Sequence, residues 1–437
     1  MLKRLLLFVM LFAVVDAVAQ DDDAEFKQRV LESTEIDLLS SYYTQDGSNA
    51  AVTGGLGTED LQNYPVNIVV SIPLNADDVL TIDAGVSAYT SASSSNLNPF
   101  DGRNPADPFV ASSGASGADA LISASASYSH SSDDRNGIWS LKASVSAEYD
   151  YNSIGFGGGY THLFNEKNTS VSLHADVYLD NWRVLYPYEL GGDAEGSRFN
   201  IRRYVVTGNQ NYQPVFTPYD VTTRNSYNFS LGLSQILSED LQGSLSFDLT
   251  LQDGQLANHM QRVYFADFED SFIQNFHLAD DVERLPDSRV RTAVGGRLNY
   301  FLNEYFVARG YYRYYSDDWG INSHTVSIEV PIKLLGDGWT LYPSYRFYTQ
   351  TAADYFAPYN QLLSTSEFYT SDYDLSAYDA QQFGFGVSYT DIFTSFKLGL
   401  LKFKSIDLRY EHYKRDTDFS ADIITGGFKF ILDDWRN

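Results

Sequence analysis

Paired histidine and serine side chains are the first candidates for chemistry, because a nucleophilic hydroxyl needs a base beside it. Ser172 and His174 are two residues apart in "SLHADV", and His162 lies in "GYTHLF". Positions two apart share a face of a strand, but no G-x-S-x-G motif accompanies them. A solvated inward histidine is therefore the better interpretation, and we predict no catalytic residue and no enzyme.

Acidic segments are the second candidates, since Ca²⁺ takes roughly six to eight oxygen ligands. The sequence contains no calcium-binding loop of the D-x-[DN]-x-[DN]-G type, and its seven histidines are not spaced like metal ligands. "GFGGGY" (155–160) lacks the Lys-Ser/Thr of a phosphate loop. We predict no metal site and no cofactor, and leave open whether acidic loops bind Ca²⁺. These loops are "QDDDAE" (20–25), "ADFEDSF" (266–272), "LADDVE" (278–283) and "TSDYDLSAYD" (370–379).

In many segments of the sequence apolar and polar residues alternate, and the charged side chains lie at the polar positions. Early segments carry acid at these positions and late segments carry mainly arginine. If the segments form one ring, opposite walls of its interior hold opposite charges, which sets up a transverse field. The alternative is that the charges pair with each other or with an inward loop. The predicted cluster comprises Asp83, Glu148 and Asp176 on one wall and Arg297, Arg309, Arg313, Arg346 and Arg409 on the other.

The segments that position these charges have a period of two. In "VLTIDAGVSAYTSAS" (79–93), Leu80, Ile82, Ala84, Val86 and Ala88 share one face, as in a strand with one apolar side. Short connections such as "FNEKNT" alternate with long ones, which is typical of a transmembrane barrel. We predict an all-β fold, one antiparallel barrel of about sixteen strands. The predicted strands are 34–44, 64–73, 79–91, 118–131, 138–150, 153–164, 169–180, 225–237, 241–252, 290–302, 305–316, 322–334, 338–350, 380–391, 403–414 and 420–432.

Two connections depart from this plan. The link at 391–402 is longer than the other short connections, so the strands on either side of it are the least secure. Loop 253–289 carries Phe265, Phe268, Phe272 and Phe276 mostly three or four residues apart. That spacing predicts an amphipathic helix ending before Pro286, lying across the lumen or capping it.

Composition and the chain ends agree with an exported barrel. The 30 Lys and Arg against 57 Asp and Glu give a net charge of −27, which argues against a nucleic-acid partner. There are 33 Tyr and 28 Phe but no Cys, as expected for aromatic girdles without lipid anchor or disulfide. "MLKRLLLFVMLFAVVDAVAQ" indicates a signal peptide over 1–19. We predict a periplasmic segment at 20–33, the barrel at 34–432 and a C-terminal tail at 433–437.

Several stretches resemble the bacterial family known as domain of unknown function 3570. They are "TEIDLLSSYYTQDGSNAAVTGGLGTEDLQ" (34–62), "VVSIPLNADDVLTIDAGVSAYTSASS" (69–94) and "ERLPDSR" (283–289). The resemblance implies a Gram-negative outer-membrane barrel and no known activity. It also implies, through genes near some members, an envelope partner with flavin or redox chemistry.

Two functions follow from these patterns. One is a porin-like channel or transport component with a charge-segregated lumen. The other is a non-conducting barrel that serves as sheath or docking scaffold for a periplasmic or surface protein; a barrel enzyme is a distant third. Expected partners are outer-membrane lipid and, during biogenesis, the barrel-assembly machinery, and the expected location is the outer membrane.

Overall fold

The computed structural model describes residues 29–91, 119–191, 201–334 and 338–432. The predicted signal peptide (1–19) and C-terminal tail (433–437) lie outside these ranges. The described chain forms a closed antiparallel barrel of sixteen strands. The strands are β1 Glu35–Gly47, β2 Leu61–Pro73, β3 Asp78–Ser91, β4 Asp119–Ser131, β5 Gly137–Ala147, β6 Tyr151–Phe164, β7 Thr169–Trp182, β8 Thr223–Ile236, β9 Leu241–Gly254, β10 Ser288–Phe301, β11 Val307–Asp317, β12 Asn322–Glu329, β13 Trp339–Gln350, β14 Tyr378–Thr390, β15 Leu401–Arg415 and β16 Phe419–Leu432.

The barrel closes between its first and last strands. Glu35 pairs with Ile431 and Gly47 with Phe419, in continuous antiparallel register. Closure leaves no sheet edge with unpaired backbone groups, which a strand structure needs in lipid. The predicted all-β fold is therefore confirmed, and each predicted strand corresponds to one in the structure, with small shifts at the ends.

The outside of the barrel is apolar. Val86, in the middle of β3, is 46% exposed, and Val145 and Leu245 on other strands are exposed to a similar or greater degree. Such a continuous apolar surface would be unfavourable in water. In a bilayer it is the surface expected to contact the lipid chains. No helix among the described residues is long and apolar enough to cross a membrane.

The two ends of the barrel differ. The first residue of β1 and the last residue of β16 lie at the same rim of the barrel, which we call the inner rim. Most links between strands at this rim are short polar turns. The β14–β15 link is the exception, since it adds a small hairpin in which Lys397–Leu398 pairs with the start of β15. Long loops, with described residues 48–60, 183–191, 201–222, 255–287 and 351–377, lie at the opposite rim, the outer rim.

The predicted helix in loop 253–289 is wrong. The loop forms short strands instead: Arg262–Val263 pairs with Asp281–Val282, and Ser271–Ile273 pairs with Val206–Gly208 of the β7–β8 loop. Gln274 has a φ of 55°, a left-handed conformation that a helix cannot contain. Pairing with distant segments therefore decides the conformation of this loop, rather than the spacing of its phenylalanines.

Candidate lumen site and its cap

Arginines line the lumen along neighbouring strands. Arg297 lies on β10, Arg313 on β11 and Arg346 on β13, each in the alternation phase opposite to lipid-facing neighbours such as Leu298 and Tyr312. The guanidinium carbons of Arg297 and Arg313 lie 5.5 and 5.9 Å from the ring centroids of Tyr311 and Tyr315. None of these three arginines forms an ion pair with a carboxylate of the described chain.

Two other predicted arginines are neutralised. Glu329 on β12 accepts hydrogen bonds from Arg309 (2.8 Å) and Arg409 (2.9 Å). Arg409 also donates to Asp407 (3.1 Å) and lies over the Tyr342 ring. For these two side chains the alternative of mutual pairing applies, and they contribute little uncompensated charge to the lumen.

A glycine makes the reach of Arg409 possible. Arg409 on β15 crosses β14 and β13 to meet Glu329 on β12. It passes over Gly386, where an added Cβ would lie 3.0 Å from the Arg409 Cγ atom. A larger residue at Gly386 would push the guanidinium away from Glu329.

Arg313 and Arg346 share a pocket in the lumen. The pocket measures about 410 Å³ and is otherwise lined by Asp248, Tyr311, Thr325 and Ser327. Asp248 accepts a hydrogen bond from Ser230 (2.8 Å), so one carboxylate lies on the same part of the wall as the two arginines. The pocket thus combines two cations, one anion and several hydroxyl groups.

A second lumen pocket lies towards the outer rim. Here Asp180 of β7 accepts two hydrogen bonds from Arg224 of β8, at 2.9 and 2.7 Å. Arg291 of β10 also lines the pocket, and its buried Nε atom has no hydrogen-bond partner among the described residues. Sequence patterns did not single out this Asp180–Arg224 pair.

The predicted acidic residues lie outside the strands that carry the predicted arginines. Asp83 lies on β3 and Asp176 on β7, both on the lumen phase. Asp176 lies against Gly157 of β6, where an added Cβ would collide with its carboxylate. Glu148 does not lie in a strand: β5 ends at Ala147, and Glu148 begins an outer turn in which its N–H bonds to the Tyr151 carbonyl (2.7 Å). Burial raises the pKa of Glu148, and nearby Asp150 adds to the shift.

Long loops meet across the outer mouth. The β1–β2 and β9–β10 loops leave the ring eight strands apart, on opposite sides. Even so, the Val52 carbonyl accepts a hydrogen bond from Arg262 (3.2 Å), and Tyr264 packs against Gly54. Two loops that connect strands on opposite sides of the barrel can contact each other only across the opening of the lumen. We call the assembly of the described loop residues 48–60, 183–191, 201–222, 255–287 and 351–377 the cap.

The cap has an interior of its own. One apolar cluster contains Val263, Phe265, Leu362 and Tyr369, and another contains Ile273, Phe276 and Leu278. Between its loops the side chains of Arg262 and Glu189 are both 0% exposed and joined by two hydrogen bonds, at 2.6 and 3.1 Å. Such packing makes the cap an ordered plug rather than a set of solvated loops. The aromatic character of loop 253–289 was the only sequence signal of it.

Buried carboxyl groups in the cap have altered acidity. Burial raises the pKa of Glu283 to about 8, although Asn258 N–H and the Thr370 hydroxyl donate to its carboxyl group. Burial also raises the pKa of Asp280 to about 7 and that of Glu59 to about 7. Near neutral pH the cap therefore holds carboxyl groups that are partly protonated.

Neither catalytic nor metal chemistry gains support from the geometry. Ser172 and His174 lie on the lumen face of β7, where His174 packs against Gly159. His162 faces the exterior beside Tyr160, whose hydroxyl is 3.1 Å from the ring Nδ1 atom. Within the described ranges no three metal-ligating side chains gather in one place.

Comparisons with known proteins identify one family and several similar structures. The model of the family described as "Protein of unknown function (DUF3570)" matches residues 84–429. No curated protein has a sequence that matches this chain. A structure titled "Bacterial polysaccharide outer membrane secretin" is similar at 9% identity and a TM-score of 0.46, covering 92% of this chain and 98% of its own.

Two Pseudomonas structures are similar over comparable lengths. A BenF-like porin from Pseudomonas fluorescens Pf-5 is 10% identical with a TM-score of 0.38, covering 92% of this chain and 98% of its own. OccK2 (OpdF) of Pseudomonas aeruginosa, in complex with glucuronate, is 9% identical with a TM-score of 0.39, covering 93% and 100%.

Proposed function

Since the chain belongs to the family described as "Protein of unknown function (DUF3570)", a description that assigns no activity, we propose its function from its own geometry. It is a porin-like barrel of the Gram-negative outer membrane. Its lumen takes small anionic solutes, and its cap controls entry from the outside.

One observation carries the proposal. Arg297, Arg313 and Arg346 point into the lumen from three nearby strands without an ion-pair partner among the described carboxylates. Unpaired cations on a lumen wall create a local positive potential, even in a chain whose total charge is negative. A guanidinium fork binds carboxylates and phosphates in bidentate fashion. Small carboxylates are thus the solute class that this wall fits best.

The charge-segregated lumen is part of the same proposal. The three unpaired arginines lie on β10–β13, whereas Asp83 and Asp176 lie on β3 and β7. In a ring of sixteen strands β3 is opposite β11. A field across the lumen would orient a dipolar or charged solute in transit.

Bilayer conductance with a loosened cap tests this proposal. Glu189→Ala removes the partner of the buried Arg262 in the cap and should increase the current through planar bilayers relative to the unaltered protein. Under a KCl gradient that current should favour chloride. Asp77→Ala is the matched control, because it breaks an ion pair with Arg135 at an inner turn and should leave the current unchanged. If Glu189→Ala loosens the cap, as judged by protease cleavage, but carries no current, the channel proposal fails.

A second candidate is a non-conducting scaffold for an envelope protein. The order of the cap favours it, since two apolar clusters and a fully buried ion pair hold the loops together over the mouth. A silent bilayer with every cap variant, together with a specific protein that co-purifies with the barrel, would support this candidate over the channel.

A further inference from the structure

The β14–β15 link at the inner rim is built differently from its neighbours. Most other inner turns are short and mainly polar, for example "FNEKNT", whereas this one is longer and reads "DIFTSFKLGL" (391–400). It is ordered by Asp391, whose carboxylate accepts hydrogen bonds from the N–H groups of Phe393 (3.2 Å) and Ser395 (2.7 Å). The Lys397–Leu398 segment then pairs with Leu401–Lys402. We call residues 391–402 the inner hairpin.

Large apolar side chains of the inner hairpin are strongly exposed. Phe393 is 80% exposed and Leu398 65%, and Ile392, Phe396 and Leu400 are also more than half exposed. Exposing five large apolar side chains to water is unfavourable in free energy. An ordered turn that presents them therefore requires an apolar or interfacial surrounding.

Pairing separates the inner hairpin into two faces. Leu398 lies opposite Leu401, and Leu401 lies opposite Leu432 on β16. Leu432 is in phase with Phe428, which is 40% exposed on the barrel exterior. The opposite face carries Lys397 across from Lys402, in phase with the lumen side chain Lys429. The hairpin is therefore apolar on the side of the barrel exterior and basic on the side of the lumen.

The apolar face continues the aromatic belt of the barrel. The Phe396 ring lies 6.4 Å from that of Phe403, which in turn lies 6.4 Å from Tyr389 and 6.1 Å from Phe430. The Tyr389 ring lies 4.9 Å from that of Trp339, with the two planes tilted by 40°. Aromatic rings of this kind belong at the headgroup level of a membrane.

We propose that the inner hairpin lies at the interface of the inner leaflet, with Leu398, Phe396 and Phe393 against phospholipid at the boundary between headgroups and acyl chains. The proposal rests on the membrane location given above. We choose phospholipid as the contact of the hairpin because its apolar face points in the same direction as the lipid-facing aromatic belt and touches that belt. Lys397 and Lys402 on the other face can extend their ammonium groups to the aqueous side.

Single cysteines can locate the hairpin, because the chain has no cysteine of its own. Four full-length variants, Leu398→Cys, Lys397→Cys, Val86→Cys and Glu166→Cys, are labelled with an environment-sensitive fluorophore and placed in phosphatidylethanolamine–phosphatidylglycerol vesicles. Val86 marks the lipid face of β3, and Glu166 marks an exposed polar turn at the same rim. Nitroxide groups on the acyl chains should quench the label at Leu398 and at Val86 several-fold more than the label at Lys397 or at Glu166. Iodide in the water should give the reverse order.

Two results would overturn the proposal and can be told apart. A label at Leu398 that behaves like the one at Glu166, while Val86 is quenched by lipid, refutes the hairpin's contact with phospholipid and leaves the barrel in the membrane. A label at Val86 that lipid fails to quench refutes the membrane location, and with it both proposals.

Discussion

Arg262 and Glu189, which are 73 residues apart in sequence, form a fully buried ion pair between two cap loops, with Arg262 Nε 2.6 Å from Glu189 Oε1. The guanidinium also lies over the Phe276 ring, at 5.2 Å. A buried ion pair is costly to break on one side only, because the remaining charge is left without solvent or partner.

Removing Glu189 should therefore loosen the cap without unfolding the barrel. We expect Glu189→Ala to lower the free energy of cap opening by about 3–5 kcal/mol, measured by hydrogen exchange of the backbone at 262–282. The double variant Glu189→Leu with Arg262→Met replaces the pair by apolar side chains and should recover most of the loss. Equal exchange in the single and double variants would contradict a specific role for the pair.

Cap stability should fall as the pH rises. Burial raises the pKa of Glu283 from 4.5 to about 8, so its protonated form is the one favoured in the closed cap. This contribution is complete below pH 4.5 and is lost as the pH rises through about 8. Protease cleavage of the cap should thus be faster at pH 9 than at pH 6. Glu283→Gln should weaken that dependence, and a cap that becomes more resistant at pH 9 would contradict the assignment.

A charge on the outer face of β3 should destabilise the barrel. Val86→Arg places a guanidinium near the middle of the membrane, where the expected cost is about 2–4 kcal/mol. Ser125→Arg is the control, since Ser125 pairs with Asp83 on the lumen face and its replacement should cost much less. Urea titration in lipid vesicles measures both free energies of unfolding. Equal costs would argue against a lipid-facing Val86.

Barrel strands could be predicted from the sequence because lipid and lumen impose opposite chemistry on alternate residues. The apolar side chain of Val86 indicates a residue that faces lipid, and the charged side chain of Asp83 indicates one that faces the lumen. The cap could not be predicted in the same way, since the partner of Arg262 is set by loops that meet across the mouth and leave no period. The phenylalanine spacing in loop 253–289 even indicated a helix, although Phe265 and Phe276 belong to two separate apolar clusters.

Alternation predicts the direction of the lumen charges but not their pairing. Alternation places Arg309, Arg313 and Arg346 inward equally well. Only the structure distinguishes Arg309, which Glu329 neutralises, from the other two. That difference depends on Glu329, which lies directly opposite Arg309 in the β11–β12 register, and alternation alone does not encode register.

Ion selectivity of a charge-reversed lumen tests the central claim most directly. Arg313 and Arg346 line one pocket, so Arg313→Glu with Arg346→Glu turns two lumen cations into anions. The measurement is the reversal potential of this variant under a KCl gradient, in the Glu189→Ala background that loosens the cap. We predict that the Glu189→Ala protein favours chloride and that the charge-reversed variant favours potassium. A reversal potential that keeps its sign in the charge-reversed variant would contradict an arginine-lined path for anions.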